Sequence, residues 1–155
     1  MKTLVIYSSS HHQNTAKIAS VIASCLKAKL TTIDLVKPEQ IKNSDLIGFG
    51  SGIYFGRFDE KLLRFIQNLP KTRGQKAFIF STSGLKRVPF IYDFHKQPRG
   101  MLRNRGFKIV NEFSCCGWDS FGILKIVGGI NKGRPNQNDL KKARQFANQL
   151  RRYPN

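Results

Sequence analysis

The sequence Leu4-Val5-Ile6-Tyr7-Ser8-Ser9-Ser10-His11-His12-Gln13-Asn14-Thr15 begins as a short apolar run and ends as a polar segment. A helical pattern follows at once, because apolar residues recur at helical spacing from Ile18 to Leu26. A buried strand that enters a helix through a polar loop leaves unpaired backbone N–H groups at the helix start. The positive end of the helix dipole lies there too. The stretch therefore predicts a phosphate site at the beginning of this helix.

Length and composition predict one globular domain over residues 1–155. The chain has 155 residues, of which 40% are hydrophobic, and this is enough to bury a core. No apolar run approaches the roughly 20 residues that cross a bilayer, and none resembles a signal peptide. We therefore expect a cytoplasmic protein without a transmembrane segment.

The charge is strongly basic, with 27 Lys and Arg against 9 Asp and Glu, a net charge of +18. Such a chain is attracted to anionic surfaces, and an acidic protein or an anionic membrane surface stays open as a partner. A nucleic-acid partner is not favoured, because the basic residues recur without a known binding motif, and faces that are simply solvated are the favoured alternative. The basic residues concentrate in two clusters: Lys86, Arg87, Lys96, Arg99, Arg103 and Arg105, then Lys141, Lys142, Arg144, Arg151 and Arg152.

Strand and helix patterns alternate along the chain, which is typical of an α/β fold with a parallel sheet covered on both faces. A long glycine-punctuated connection, residues 116–133, fits neither pattern and is of the kind that often has a function. The predicted strands are 3–8, 30–35, 45–50, 76–80 and 107–113; the predicted helices are 15–28, 59–69, 92–104 and 136–152, with one helical turn at 38–42 and with Asn14 or Thr15 as the first helix's cap.

Three polar loops follow predicted strands, and in a parallel sheet all three meet at the carboxyl edge, where ligands bind at the topological switch point. The first loop, residues 8–15, offers hydroxyl and N–H donors that suit a phosphate. The second, residues 50–56, offers two aromatic residues among three glycines and suits a flat apolar ring. The third, residues 81–84, is small enough for the backbone to approach a ligand closely. Together the loops predict a phosphorylated planar cofactor.

Three segments of this chain resemble the flavodoxin family, specifically its short bacterial and archaeal members. The first loop resembles the family's phosphate loop, which ends in Gly-Asn-Thr. The stretch Gly50-Ser51-Gly52-Ile53-Tyr54-Phe55-Gly56-Arg57-Phe58 resembles the second loop. The most specific agreement lies in Gly117-Trp118-Asp119-Ser120-Phe121-Gly122 and in Gly128-Gly129-Ile130-Asn131-Lys132-Gly133-Arg134-Pro135-Asn136.

The resemblance implies a flavodoxin-like three-layer sandwich, with a five-stranded parallel sheet of order 2-1-3-4-5, helices on both faces and FMN at the carboxyl edge. This order, with FMN at the switch between strands 1 and 3, is a known property of the fold. By the match, the first loop surrounds the phosphate, the second walls the isoalloxazine ring and the third lies on the ring's other side. The implied cofactor-binding residues are Ser8, Ser10, His12, Gln13, Asn14, Thr15, Ser51, Gly52, Ile53, Tyr54, Phe55, Gly56, Ser81, Thr82, Ser83 and Gly84.

The chain departs from the family pattern in three ways. Gln13 replaces the loop glycine, and a left-handed conformation there would cost about 1 kcal/mol. Gly52 stands where proline is common. The chain is basic, whereas electron-carrying flavodoxins are typically acidic, so an acidic redox partner is implied. Positive charge near FMN also favours the anionic reduced cofactor.

We expect an FMN-dependent redox protein, an electron carrier or a small reductase, without a covalent catalytic residue. Two alternatives stay open. One is a flavodoxin-domain enzyme that acts on a quinone or a porphyrinogen at an anionic membrane. The other is a flavin-free basic module that binds an anionic partner.

The remaining candidate residues favour structural roles. We expect His95 to lie on the surface of a helix, Trp118 to pack the long connection and Cys25 to be in the core. Cys115 and Cys116 are expected to be reduced thiols rather than a vicinal disulfide. No Cys-x-x-Cys or His-x-x-x-His spacing predicts a metal site.

Overall fold

The computed structural model describes residues 1–9, 13–85, 92–118, 126 and 128–153. Strands and helices alternate along it, as the sequence pattern predicts. The elements are β1 (Thr3–Ser8), α1 (Asn14–Leu26), β2 (Lys29–Thr32), α2 (Pro38–Lys42), β3 (Leu46–Tyr54), β4 (Arg57–Phe58), α3 (Glu60–Gln67), β5 (Lys76–Ser83), α4 (Lys96–Asn104), β6 (Lys108–Cys116) and α5 (Gln137–Leu150).

Five strands form a parallel sheet of order β2-β1-β3-β5-β6. This confirms the predicted order, because the central strands follow the pattern 2-1-3-4-5 once β4 is set aside. β4 is a sixth, two-residue strand that pairs antiparallel with the end of β3. The chain passes from β1 to β2 on one side and continues with β3 on the other, so the switch point lies between β1 and β3.

Each face of the sheet buries its own apolar layer. Leu4 and Ile6 of β1 face the cluster beneath α3 and α4, whereas Val5 faces the cluster beneath α1 and α5. Successive residues of a strand point to opposite faces, so a strand that is apolar throughout is covered on both sides. This explains why β1 reads as a continuous apolar run.

Two glycines on β3 make room for phenylalanine rings of β5. A Cβ added at Gly48 would lie 2.2 Å from Phe78, and one added at Gly50 would lie 2.0 Å from Phe80. Both rings are fully buried and belong to the cluster beneath α1 and α5. The aromatic rings therefore lie against bare backbone at the centre of the sheet.

Three sequence predictions of local structure are corrected. β3 continues to Tyr54 and β5 to Ser83, so residues 51–54 and 81–83 belong to strands rather than loops. The cap of α1 is Gln13 rather than Asn14 or Thr15, and it makes no side-chain capping hydrogen bond. The helix predicted from residue 92 begins at Lys96.

Across the described part of the chain, no helix is both long enough and apolar enough to cross a membrane.

Candidate functional site

The candidate site lies at the carboxyl edge of the sheet, around the switch between β1 and β3. β1 ends here at Ser8, β3 runs on to Tyr54 and β5 ends at Ser83. The strand ends that belong to the three predicted binding segments therefore lie at one edge of the sheet. Ser10 and His12 lie outside the described residues, as do His11, Lys86 and Arg87.

The start of α1 offers polar groups that its own chain does not satisfy. α1 is 13 residues long and has no acidic residue in its first turn. Gln13 precedes it in the left-handed conformation, with φ of 53°. Among the described residues, the buried atoms Ser9 Oγ and Asn14 Oδ1 have no hydrogen-bond partner. Ser9 Oγ can donate to an anion bound at this helix start, and Asn14 Oδ1, which only accepts, can take a hydrogen bond from water bound beside that anion.

Asn14 and Thr15 also tie the start of α1 to its surroundings. Asn14 Nδ2 donates to the carbonyl of Trp118 at 2.7 Å, and the hydroxyls of Thr15 and Thr82 lie 2.9 Å apart. Gly117 permits the first contact, because a Cβ there would lie 2.8 Å from Asn14 Nδ2. The two predicted site residues thus link α1 to β5 and to the long connection after β6.

A row of serines crosses the sheet at one level, with each pair in register on neighbouring parallel strands. Ser8 pairs with Ser51, Ser51 with Ser81, and Ser81 with Ser114. The first two hydroxyls are held by the protein itself. Ser8 Oγ donates to Asp59 Oδ2 at 2.5 Å; Ser51 Oγ donates to the carbonyl of Gly52 at 2.6 Å and accepts from the backbone N–H of Asp59 at 2.9 Å. We refer to Ser8, Ser51, Ser81 and Ser114 as the serine row.

Asp59 was missed by sequence reasoning, although it carries a readable signal. It directly precedes α3 and accepts a hydrogen bond from the backbone N–H of Lys61 at 2.9 Å, as an N-cap residue does. Its second carboxylate oxygen accepts from Ser8. The same side chain therefore caps α3 and fixes the end of β1.

The second predicted binding segment is a hairpin rather than a loop. Tyr54 pairs with Arg57, and the turn between them is Phe55-Gly56, with φ of 51° and 76°. Phe55 is 85% exposed at the tip. Gly56 lies against Tyr92, whose hydroxyl would be 3.0 Å from a Cβ at this position. The hairpin presents an aromatic side chain beside the carboxyl edge.

His95 overturns the expectation of a surface residue. Its side chain is fully buried, with 0% exposure. Nε2 lies 2.7 Å from Ser81 Oγ, and Nδ1 lies 3.0 Å from Glu112 Oε2. The polar residues around His95 in sequence favour exposure, but the ring contacts Glu112 on β6 and packs against Phe58 and Phe94. The contact with Glu112 joins distant parts of the chain, which local sequence cannot indicate.

The long connection closes the site from the side of β6. Trp118 donates its backbone N–H to Arg134 at 3.0 Å and its indole N–H to Gly128 at 3.3 Å, so it packs this connection as expected. Asn131 Nδ2 donates to the carbonyl of Gly84 at 2.7 Å. Gly84 of the third predicted segment is thereby held in place by a residue that sequence reasoning did not assign to the site.

The cysteines provide no reactive group at this edge. All three are free, which agrees with the expectation of reduced thiols. Burial is the main cause that raises the pKa of Cys115, to about 12, so this side chain is a neutral thiol at physiological pH.

The sequence of this chain matches a known protein family and a known relative. The family model described as "Flavodoxin domain" matches residues 4–93. An uncharacterised protein of Methanocaldococcus jannaschii is 49% identical over 151 residues, which covers 97% of this chain and 98% of that protein. These matches extend from β1 through the predicted site.

Solved structures agree on the fold. Oxidised flavodoxin 1 of Bacillus cereus superposes with a TM-score of 0.71 at 16% identity and covers 100% of both chains. A flavodoxin from the domain Archaea gives a TM-score of 0.63 at 16% identity, covering 97% of this chain and 96% of that one. Rubredoxin:oxygen oxidoreductase of Desulfovibrio gigas gives 0.68 at 16% identity, where this chain corresponds to 34% of the larger protein. The chain therefore belongs to the flavodoxin-domain family.

Proposed function

We propose that the protein binds FMN at the carboxyl edge of its sheet and acts as a redox protein through that cofactor. The observation that carries the proposal is the start of α1. Among the described residues it combines an uncapped helix N-terminus with the buried hydroxyl of Ser9, which has no hydrogen-bond partner and can donate to an anion. Helix N-terminal N–H groups and the helix dipole both favour a phosphate there.

The residues of the first segment would hold the phosphate end of the cofactor. Backbone N–H groups of Asn14 and Thr15 open α1, and Ser9 has a hydroxyl to donate. The hydroxyl of Ser8 is committed to Asp59, so its contribution is to fix the end of β1. Ser10, His12 and Gln13 remain proposed members of this segment.

Two further segments would hold the ring. Tyr54, Phe55 and Gly56 offer an aromatic wall at the hairpin tip, with Gly52 and Ile53 leading into it. Ser83 ends β5, Gly84 follows it, and both offer backbone groups on the other side. When bound, FMN supplies the electron chemistry, and the protein's share is to bind it, orient it and set its surroundings.

An electron carrier or small reductase is the role we propose, with an acidic redox partner. The net charge of +18 supports this choice, because opposite charge speeds association and fixes orientation. The rate of electron exchange with an acidic acceptor protein should fall as salt is added. A rate that does not depend on the salt concentration contradicts the assignment.

Titration of the purified protein with FMN tests the proposal. We expect the absorption bands of the flavin to shift and its fluorescence to be quenched as the complex forms. A protein that leaves the FMN spectrum unchanged up to about millimolar concentration contradicts the proposal and supports the flavin-free binding module.

A negative charge introduced at the start of α1 tests whether the phosphate of FMN binds there. Ser9→Asp puts a carboxylate beside the buried atoms of this helix start and is expected to weaken FMN binding by at least about tenfold, through like-charge repulsion and loss of a donor. Asn136→Asp puts the same group at the start of α5, where it can still accept from the backbone N–H groups of residues 138 and 139, and serves as the control. Equal affinities of the two variants for FMN would contradict a phosphate at α1.

A further inference from the structure

Ser81 of the serine row contacts a buried histidine that links three elements. Ser81 on β5 and Glu112 on β6 both contact His95, which immediately precedes α4. Ser81 and His95 are fully buried. The hydrogen-bonded chain Ser114–Ser81–His95–Glu112 therefore runs through the interior directly beneath the end of β5.

The partners of the two ring nitrogens bear on the protonation of His95. Nδ1 faces the carboxylate of Glu112, which only accepts, so Nδ1 carries a proton. Ser81 Oγ donates its single proton to Ser114 Oγ at 3.3 Å. Nε2 lies 2.7 Å from Ser81 Oγ, and in the arrangement where Ser81 gives its proton to Ser114, Nε2 is the donor to Ser81. A ring that donates from both nitrogens in this way would be an imidazolium.

The groups around the ring favour that charge. Arg99 binds both carboxylate oxygens of Glu112, through Nε to Oε1 and through Nη2 to Oε2 at 2.9 Å, which keeps Glu112 ionised. Asp93 accepts from Arg99 Nη2 at 3.0 Å and from the backbone N–H of His95 at 3.1 Å. The ring of Phe58 on β4 lies edge-on to that of His95, with the ring centroids 5.3 Å apart. A second carboxylate thus accompanies the His95–Glu112 pair.

We propose that His95 is a positioning residue of the cofactor site: as a buried imidazolium clamped by Ser81 and Glu112, it fixes the carboxyl end of β5 and favours the anionic form of the cofactor. This inference rests on the proposed function. Ser81 begins the segment that ends at Gly84, and Ser83 accepts from the backbone N–H of Gly117 at 2.9 Å. Movement of Ser81 would therefore shift both the proposed ring-binding backbone and the long connection that packs on it.

Nitrogen-15 NMR of the protein without FMN tests the charge directly. We expect both ring nitrogens of His95 to show the shifts of protonated imidazolium at about pH 7, where a free histidine with a pKa near 6.5 is mostly neutral. The chain has 3 histidines, so comparison with His95→Gln assigns the signal. A ring with one protonated nitrogen at this pH overturns the proposal.

Binding and redox measurements test the positioning role. His95→Gln is expected to bind FMN about tenfold more weakly than the wild type at near-neutral pH, because a charged hydrogen-bonding group is lost. Its bound flavin should also have a lower reduction potential, and both differences should shrink at alkaline pH as the wild-type ring loses its proton. Glu112→Gln keeps the shape of the side chain but removes the partner that holds His95, so it should also weaken FMN binding and serves if His95→Gln fails to fold.

Phe94→Leu is the matched packing control. Phe94 is buried and its ring lies 5.5 Å from that of His95, so its loss weakens packing without removing a hydrogen bond of the network. We expect it to lower the melting temperature while the affinity, potential and pH profile stay as in the wild type. Wild-type affinity and potential in His95→Gln overturn the positioning role. If the wild type takes up no FMN, the proposed function is contradicted. The NMR result then still decides the charge of His95.

Discussion

Gln13 and Lys27 stand in the left-handed conformation at the two ends of α1, with φ of 53° and 51°. For residues other than glycine this backbone conformation costs about 1 kcal/mol each, because Cβ approaches the following carbonyl. The conformation foreseen for Gln13 is therefore present. The strain belongs to the protein itself, because Gln13 adopts this conformation at a position where the family has glycine.

Glycine at either position should relieve this strain. Gln13→Gly and Lys27→Gly are each expected to raise the free energy of unfolding by up to about 1 kcal/mol, as measured in urea. Lys27 lies at the other end of α1, away from the proposed phosphate site, so Lys27→Gly is the control for effects on FMN binding. We expect Gln13→Gly to retain FMN affinity within about threefold of the wild type, because the backbone geometry is unchanged. Destabilisation by both variants would contradict the account of strain.

Cys115 should resist alkylation in the folded protein. Because burial raises its pKa from 9.0 to about 12, little thiolate is available at pH 8. Peptide mass spectrometry after iodoacetamide treatment should find Cys115 unmodified in the folded protein and modified in urea. Labelling at the rate of an unfolded cysteine contradicts this prediction.

The same pKa shift sets the sign of a pH effect on stability. The folded protein retains the thiol proton that the unfolded chain releases near pH 9.0, so the contribution is complete below that value. We expect the free energy of unfolding to fall as pH rises from 9.0 toward about 12. Cys115→Ser should remove that part of the pH dependence.

At the scale of elements, β3 is built to lie under the aromatic rings of β5. Gly50→Ala would push a Cβ into Phe80 and is expected to lower the free energy of unfolding by about 1–3 kcal/mol. The double variant Gly50→Ala, Phe80→Leu should lose less than the sum of the single variants, because the smaller side chain makes room. Additive losses in urea denaturation would show that the two residues do not compete for space.

Gly100 is the control for that substitution. It lies inside α4, and a Cβ there would meet nothing within 4 Å. Gly100→Ala is therefore expected to stabilise the protein by about 0.5–1 kcal/mol, since alanine favours a helix interior. The same chemical change should thus have opposite signs at the two positions.

Element type could be predicted from the sequence more readily than element ends. The apolar cores of β1, β3 and β5 are evident from their side chains, and α1 from its helical spacing. The ends of β3 and β5 were read as loops because Ser51 and Ser81 are polar. Both remain in strands, since the protein supplies partners for their hydroxyls, namely Gly52 and Asp59 for Ser51 and His95 for Ser81.

At the scale of the whole molecule, the strand order followed from the family resemblance and not from periodicity, which carries no information on neighbours. The same lack of information about distant contacts explains which site residues could be predicted from the sequence and which could not. Gln13, Asn14 and Tyr54 are local to readable motifs, whereas Asp59, His95 and Asn131 act through partners 14 to 51 residues away in sequence. The basic charge is likewise plain from composition, but composition does not determine which face a partner meets.

Competition between FMN and riboflavin is the most direct test that this edge of the molecule binds a flavin by its phosphate. The two ligands share the ring and differ in the phosphate. Isothermal titration calorimetry should give a dissociation constant for FMN at least about 100-fold lower than for riboflavin, the difference made by two or more charge-assisted hydrogen bonds at the start of α1. Equal affinity for the two ligands, or no uptake of FMN at millimolar concentration, would contradict the account.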